Sequence, residues 1–353
     1  MRRTKKLWYG FATLFALILS AAAFWLHLSD FMPLVGPSLS RAAHQLEATA
    51  NADASEARLL FCGTGSPATT AERGSPCLAL IFNGKLFLFD AGEGSVQKLR
   101  EFQAPLLKLS MIFLTHLHSD HISGVAQALH GSWLDGRTAR TLLIGPPGTT
   151  AFLDGSRHAY EADVLERVHA LAEDGYDPQL AFGASQEISV AAGAIETVHA
   201  EPGLTIEVFR VDHPDWEFAY GYRLTVGGKT IVISGDTAPS DGIRKFAAGA
   251  DILIHEALNR DFLSILAKSL NERQVRLSDA RREAIEVTHT STLDLATLAE
   301  DLNVGQLYLT HLIPPIPDNY VARRAFTSGM RERYSGPIIV ARDGMEIDLP
   351  AGP

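Results

Sequence analysis

Apolar residues come in short bunches along most of this chain, and each bunch ends at glycine, proline or a polar side chain. Residues 58–62 form one such run, closed by Gly63-Thr64-Gly65. Residues 77–82 and 85–90 flank Asn83-Gly84, a dipeptide that closes tight hairpins because both positions tolerate positive φ. Further strands are predicted at 109–114, 205–211, 218–226, 230–234, 251–254, 306–310 and 337–341. Between them the apolar spacing widens to the helical three-to-four period, at 93–102, after His121 through 129, and at 240–246, 277–285, 292–302 and 320–334. No internal repeat interrupts the alternation. Many sheet runs with interspersed helices imply layered α/β packing in one domain, residues 58–353.

The N-terminus breaks this rhythm. Arg2, Arg3, Lys5 and Lys6 precede a nearly uninterrupted apolar run, residues 7–28, whose only ionisable side chains are Tyr9 and His27. About 20 apolar residues suffice to span a bilayer, and a basic flank keeps the N-terminus in the cytoplasm. Residues 1–28 therefore read as a membrane anchor. A cleaved signal peptide is the competing reading, given the small residues Ala21-Ala22-Ala23, but Phe24-Trp25-Leu26 extends the apolar run and favours retention. Either way the domain is expected outside the cytoplasm, tethered to the inner membrane and periplasmic, or secreted if the segment is cut. Residues 29–57, with Pro33, Gly36, Pro37 and an alanine-rich tail, read as a linker. Cys62 and Cys77 suit an oxidising compartment, yet no spacing rule pairs them; buried thiols, or at most one bridge, are expected.

With 353 residues, 46% of them hydrophobic, the chain can bury a large core. Its net charge of −10 disfavours a protein whose task is gripping phosphate backbones. Nucleic acid is therefore not expected as a partner, and a small anionic ester is.

The chemistry concentrates in Thr115-His116-Leu117-His118-Ser119-Asp120-His121, directly after the strand at 109–114. Side chains two apart on an extended chain point the same way, so His116 and His118 can grip one ion. Asp120 and His121 begin the next element and can face a second. Imidazole and carboxylate without cysteine thiolate favour zinc, with manganese or iron as the alternatives. A histidine-rich surface loop that binds nothing is the competing explanation, but the rest of a coordination sphere follows downstream. His213, Asp236 and His311 each stand at the exit of an apolar strand, the edge where open α/β sheets place their chemistry. His199 is the rival of His213, though its flank is less strand-like.

Together with Phe61-Cys62-Gly63-Thr64-Gly65-Ser66-Pro67, Leu88-Phe89-Asp90-Ala91-Gly92-Glu93, Asp212-His213, Gly221-Tyr222-Arg223, Ser234-Gly235-Asp236-Thr237, His255-Glu256-Ala257 and His289-Thr290-Ser291, these motifs give the chain a clear likeness. It resembles the metallo-β-lactamase-fold hydrolases, in the ribonuclease Z-like branch that also holds bacterial arylsulfatases and small phosphodiesterases. The resemblance implies a four-layer αβ/βα sandwich with two zinc ions in the groove between its sheets. One ion would take His116, His118 and His213, the other Asp120, His121 and His311, with Asp236 and a water or hydroxide between them. Asp120, His289 and Glu256 would serve catalysis, His289 as hydrogen-bond or proton donor to the substrate and Glu256 as the group that orients it. His255 is expected to make a structural hydrogen bond, and Thr290 or Ser291 to cap the helix that follows. A homodimer is implied by analogy alone.

Two departures set the chain apart from the transfer-RNA-processing members of that branch. Pro67-Ala68-Thr69-Thr70-Ala71-Glu72-Arg73-Gly74 replaces a more basic loop, and residues 223–233 form only a short hairpin where those enzymes often insert a substrate-gripping arm. The expected activity is therefore hydrolysis of a small sulfate ester or phosphodiester by metal-activated hydroxide. A transfer-RNA 3′-processing endoribonuclease is the alternative, and a non-catalytic membrane-tethered metal-binding protein the second. Trp133, Trp216 and Tyr160 are candidates for the wall of an aryl pocket, each equally able to serve in a core.

Overall fold

Asn83 and Gly84 turn the chain at φ 49° and 71°, and the hairpin they close is the seed of the first sheet. Its strands β2 (Cys77–Phe82) and β3 (Lys85–Phe89) pair antiparallel with Phe82 opposite Lys85. The computed structural model describes residues 57–170, 175–214, 216–275 and 277–350. The anchor or signal expected at 1–28, and all but the last residue of the linker expected at 29–57, lie outside the described residues. Among the described residues no helix is long and apolar enough to cross a membrane.

Around the hairpin the first sheet has the order β14-β1-β2-β3-β4-β5-β6, adding β1 (Ala57–Gly63), β4 (Leu109–Phe113), β5 (Leu142–Gly145), β6 (Ala184–Glu187) and β14 (Glu346–Asp348). The second has the order β13-β12-β11-β10-β9-β8-β7, made of β7 (Ile195–Glu201), β8 (Leu204–Val211), β9 (Ala219–Val226), β10 (Lys229–Ile233), β11 (Ile252–Leu258), β12 (Gln306–Ile313) and β13 (Ile338–Val340). Both sheets are mixed: β3 to β6 run parallel in one, β10 to β13 in the other.

The period of two along each strand decides which layer its side chains join. In β1, Leu59 and Phe61 face the other sheet, meeting Ile206, Leu224 and Ile254 in one core. Leu60 and Cys62 face outward into a second core, under α1 (Ser95–Glu101), α3 (Val125–Leu134) and α4 (Thr149–Ala170). A third core lies between the second sheet and α5 (Asp241–Phe246), α8 (Thr292–Asp301) and α9 (Tyr320–Phe326), through Ile243, Leu295 and Phe326. These cores separate four layers, helix, sheet, sheet and helix, as the sequence led us to expect.

Several elements depart from the expectation. The 22-residue α4 buries only Thr149, Leu153 and Val164, too few apolar positions to leave a helical signature. The helix expected over 320–334 stops at Phe326, and Gly329 at φ 79° keeps the chain from resuming it. The strands β5 and β6 are four residues each, below the length at which alternation is legible. α6 (Arg260–Glu272) was not anticipated, although Asn259 caps it by accepting from Phe262 N, and Phe262, Leu263, Leu266 and Leu270 recur at helical spacing. Cys62 and Cys77 are joined in a disulfide between β1 and β2, so the upper limit of one bridge is the observed state.

Candidate metal centre

The site assembles where parallel strands of both sheets end. Past β4 the chain stays extended through His118, then turns into the single helical turn α2 (Ser119–Ile122), which begins with Asp120 in its first turn. His116 Nε2 and His118 Nδ1 consequently approach to 2.9 Å. Gly92 makes the turn fit, since a Cβ there would lie 1.9 Å from the Asp120 carbonyl oxygen.

Three more groups arrive from the second sheet. His213 follows β8, and Asp236 follows β10 through Gly235, which sits at φ 63°. His311 lies within β12, where the pairing with β11 passes from Thr310 opposite Glu256 to Leu312 opposite Ala257. It is thus the unpaired residue of a β-bulge, and its φ of 44° is rare for any residue but glycine. Such strain persists where the surroundings hold a side chain in a required direction.

Two groups of ligand atoms result. His116, His118, His213 and Asp236 form one, and Asp120, His121 and His311 form the other, with the atoms of each group within 4.8 Å of one another. Asp236 also joins His289 and His311 in a third such group. Its Oδ2 stands 4.0 Å from His116 Nε2, 3.3 Å from His121 Nε2 and 3.2 Å from His311 Nε2, the place of a bridge between the groups. The seven residues expected to bind metal are brought together. His199 is not among them: it lies on β7 against the Phe87 ring and 3.7 Å from Glu201.

The donor set fits divalent metal. His121 Nε2 is buried and makes no hydrogen bond, and imidazole nitrogen with carboxylate oxygen is the chemistry zinc-like ions prefer. The electrostatics carry the same signature. Burial, reinforced by the neighbouring His121, pushes His116 well below the ordinary histidine range. Burial opposes charge on His121 too, but Asp236 and Asp90 outweigh it and raise His121 well above that range. Burial would raise Asp236 and Asp120, yet the adjacent imidazoles hold both carboxylates down, Asp236 far down. A cluster that keeps its acids ionised and draws positive charge to its centre is arranged to hold a cation.

Around these ligands stand groups that orient them. Asp90, itself at φ 57°, accepts hydrogen bonds from Thr115 N and Thr115 Oγ1 at 2.8 Å, and its Oδ2 lies 2.7 Å from His121 Nδ1. In the sequence Asp90 stands in a motif without an evident task, and its signal is that of an isolated acid at the exit of an apolar strand. Trp216 Nε1 lies 3.0 Å from His118 Nε2, so of the three aromatic candidates it alone reaches the centre. Trp133 is buried in the core against Tyr176, and Tyr160 packs on His130 and Phe182.

His289 occupies the C-terminal end of α7 (Asp279–Thr288), its ring stacked 5.5 Å from His311. Its Nδ1 is 3.5 Å from Glu256 Oε2, while Glu256 Oε1 accepts from Thr290 N at 2.6 Å. Burial works against protonation of His289, but Glu256 outweighs it and holds the imidazole above its usual range. His255 Nδ1 donates to the Glu256 carbonyl at 2.7 Å, the structural bond expected of it, and Ser291 caps α8 by accepting from Asp294 N. Size does not mark this site. A groove of about 680 Å³ beside α4 contains none of these residues, whereas His121, Asp236 and His311 line a cavity of about 40 Å³.

Residues 85–312 match the family described as beta-lactamase superfamily domain. The chain is 30% identical over 295 residues to the ribonuclease Z of Mycobacterium bovis, covering 82% of this chain and 98% of that one. To the ribonuclease Z of Mycobacterium marinum it is 32% identical over 261 residues, 73% of this chain and 87% of the relative. Among solved structures, human tRNase Z, short form, superposes with a TM-score of 0.57 at 23% identity, covering 83% and 99% of the two chains. These findings overturn the expectation that nucleic acid is not a partner of this fold's chemistry here. That expectation rested on the less basic loop at residues 67–74, the short hairpin at 223–233 and net charge, which averages over the whole surface and says nothing of where the positive groups lie. The chain belongs to the beta-lactamase superfamily, as a metallo-β-lactamase-fold hydrolase of the ribonuclease Z-like kind.

Proposed function

We propose that this protein is a divalent-metal-dependent phosphodiesterase that cuts RNA, with a transfer-RNA precursor as the first substrate to test. The observation that carries the proposal is the His289–Glu256 pair beside the ligand groups, within a chain whose 30%-identical relatives are named ribonuclease Z. A site that only stored metal would have no use for a proton donor held by a buried carboxylate.

In this reading His116, His118 and His213 would hold one ion and Asp120, His121 and His311 the other, with Asp236 close to both groups of ligand atoms and zinc the proposed metal. Bound divalent ions supply Lewis-acid neutralisation of the phosphate and activation of water. Asp90 fixes the His121 tautomer that leaves Nε2 facing the site, and Trp216 restrains the His118 ring. As water, losing a proton to solvent, attacks phosphorus and the bond to the departing ribose oxygen breaks, His289 gives that oxygen its proton, and Glu256 stabilises the imidazolium beforehand. Of the two small esters expected from the sequence, a sulfate ester or a phosphodiester, the sulfate draws no support from the relatives named above.

The full chain, supplied with zinc, should be assayed on precursor transfer RNA, an unstructured RNA strand, bis(4-nitrophenyl) phosphate and 4-nitrophenyl sulfate. The unstructured strand is included because an export signal at residues 1–28 would place the enzyme where precursors are not made. RNA should be cut with a kcat/KM above that of either small ester. Faster turnover of the sulfate than of any phosphodiester overturns the proposal.

A further inference from the structure

On a chain of net charge −10 the segment spanning residues 319–345 runs the other way, with five arginines against Glu332 and Asp343. The fold gathers four of these arginines on one groove. Arg323, Arg324, Arg331 and Arg342 line a depression of about 370 Å³ between α9 and the edge strand β13, with no carboxylate in its lining. Arg323 is tied to Asp318. The other three are exposed, and no hydrogen bond or ion pair engages their side chains among the described residues. Nearby acids are taken: Asp343 accepts from Thr64 and Gly74, and Glu346 pairs with Arg58. Beside the arginines Tyr320 stands 71% exposed at the groove, a planar ring of the kind on which bases stack.

The groove opens at the same end of the second sheet as the metal centre. β12 and β13 run parallel with Leu309 opposite Val340, and Ala341 N continues the pairing onto Leu309 O. Arg342 therefore stands two residues past that pair, as His311 does on the neighbouring strand. Adjacent strands are about 5 Å apart, which places Arg342 on the neighbour of the strand that carries the candidate ligand His311. Asp343 then ties the same turn to the Gly63-Thr64-Gly65 loop, whose Thr64 carbonyl accepts from Leu312 N, one residue beyond His311.

We propose that this arginine groove is the phosphate-backbone docking surface for an RNA strand, standing in for the basic loop and the arm that the sequence lacks. Unpaired guanidiniums present forked donors to phosphate oxygens, and an aromatic ring at the groove gives stacking without base specificity. The inference rests on the RNA reading of the site, and its test separates the two.

The triple variant R324E/R331E/R342E changes only exposed side chains. Binding of fluorescent single-stranded RNA to the full chain is measured over a range of salt, alongside turnover of bis(4-nitrophenyl) phosphate. Expected are RNA affinity reduced tenfold or more, a log Kd against log salt slope smaller by about two, and unchanged turnover of the small diester. Tyr320→Ala should weaken RNA binding without altering the salt slope. Wild-type affinity and slope in the triple variant overturn the groove, whatever the enzyme cuts. Weakened binding in the variant, with no RNA cleavage by the wild type, sustains the groove and removes the catalytic reading instead.

Discussion

The Asp90 carboxylate stands 2.7 Å from Nδ1 of His121, and its other oxygen is pinned by the Thr115 amide. One acid thereby sets the tautomer of a candidate ligand and anchors the segment that carries three others, His116, His118 and Asp120. Asp90→Asn keeps a residue that tolerates the positive φ at this position but loses the charge facing the imidazole. Zinc affinity is expected to fall about ten- to a hundredfold with little change in thermal midpoint. Competition titration against a chelating dye measures it, and an unaltered affinity would show that Asp90 is structural only.

His118→Ala and His289→Ala should fail in different ways. The first removes a candidate ligand, so metal content and turnover fall together. The second keeps its metal and loses roughly 10²- to 10⁴-fold in kcat, the usual worth of a positioned proton donor. Glu256→Gln should follow the second pattern in weaker form. Elemental analysis beside turnover separates the cases, and full activity in His289→Ala would take that residue out of the mechanism.

The Cys62–Cys77 bond closes a loop with a sequence separation of 15. Loops of this length contribute about 3 kcal/mol in the chain-entropy account. Cys62→Ser/Cys77→Ser should therefore unfold several degrees lower than the wild type by calorimetry. Since Cys77 also borders the small cavity beside His121 and Asp236, kcat should fall as well. An unchanged midpoint under both oxidising and reducing conditions would mean that the bond contributes nothing.

Buried His255 gives a pH dependence with a definite sign. Burial holds its folded-state pKa below the ordinary histidine value, so below about 6.5 the unfolded chain takes up a proton that the folded chain refuses. Stability is then full above that pH and declines as pH falls from the unfolded value toward the folded one, by at most about 1.4 kcal/mol per pH unit for one group. Urea midpoints between pH 7.5 and 5.5 should drop less steeply in His255→Gln than in the wild type. Identical slopes would place the acid sensitivity elsewhere.

What could be read from the sequence was what local pattern encodes. His116, His118, Asp120 and His121 share one turn, and His213, Asp236 and His311 each end an apolar run, so the ligand groups were visible before the fold. Choosing His213 over His199 needed only the better strand before it. Asp90 and Trp216 were hidden in function because their partners, His121 and His118, lie 31 and 98 residues away. The bulge that aims His311 was invisible for the same reason, being a property of pairing between β11 and β12. Net charge was a poor guide to nucleic acid because a sum over the whole chain hides local clusters such as the five arginines of residues 319–345.

Asp120 and His311, 3.3 Å apart at the centre, are separated by 191 residues of chain. A polypeptide emerging from the ribosome therefore carries His116 to His121 long before it can supply the opposing half. Until β12 is synthesised and docked, the nascent chain has no closed set of ligand groups. Translation itself acts as a delay, withholding an assembled centre until the second sheet is nearly complete.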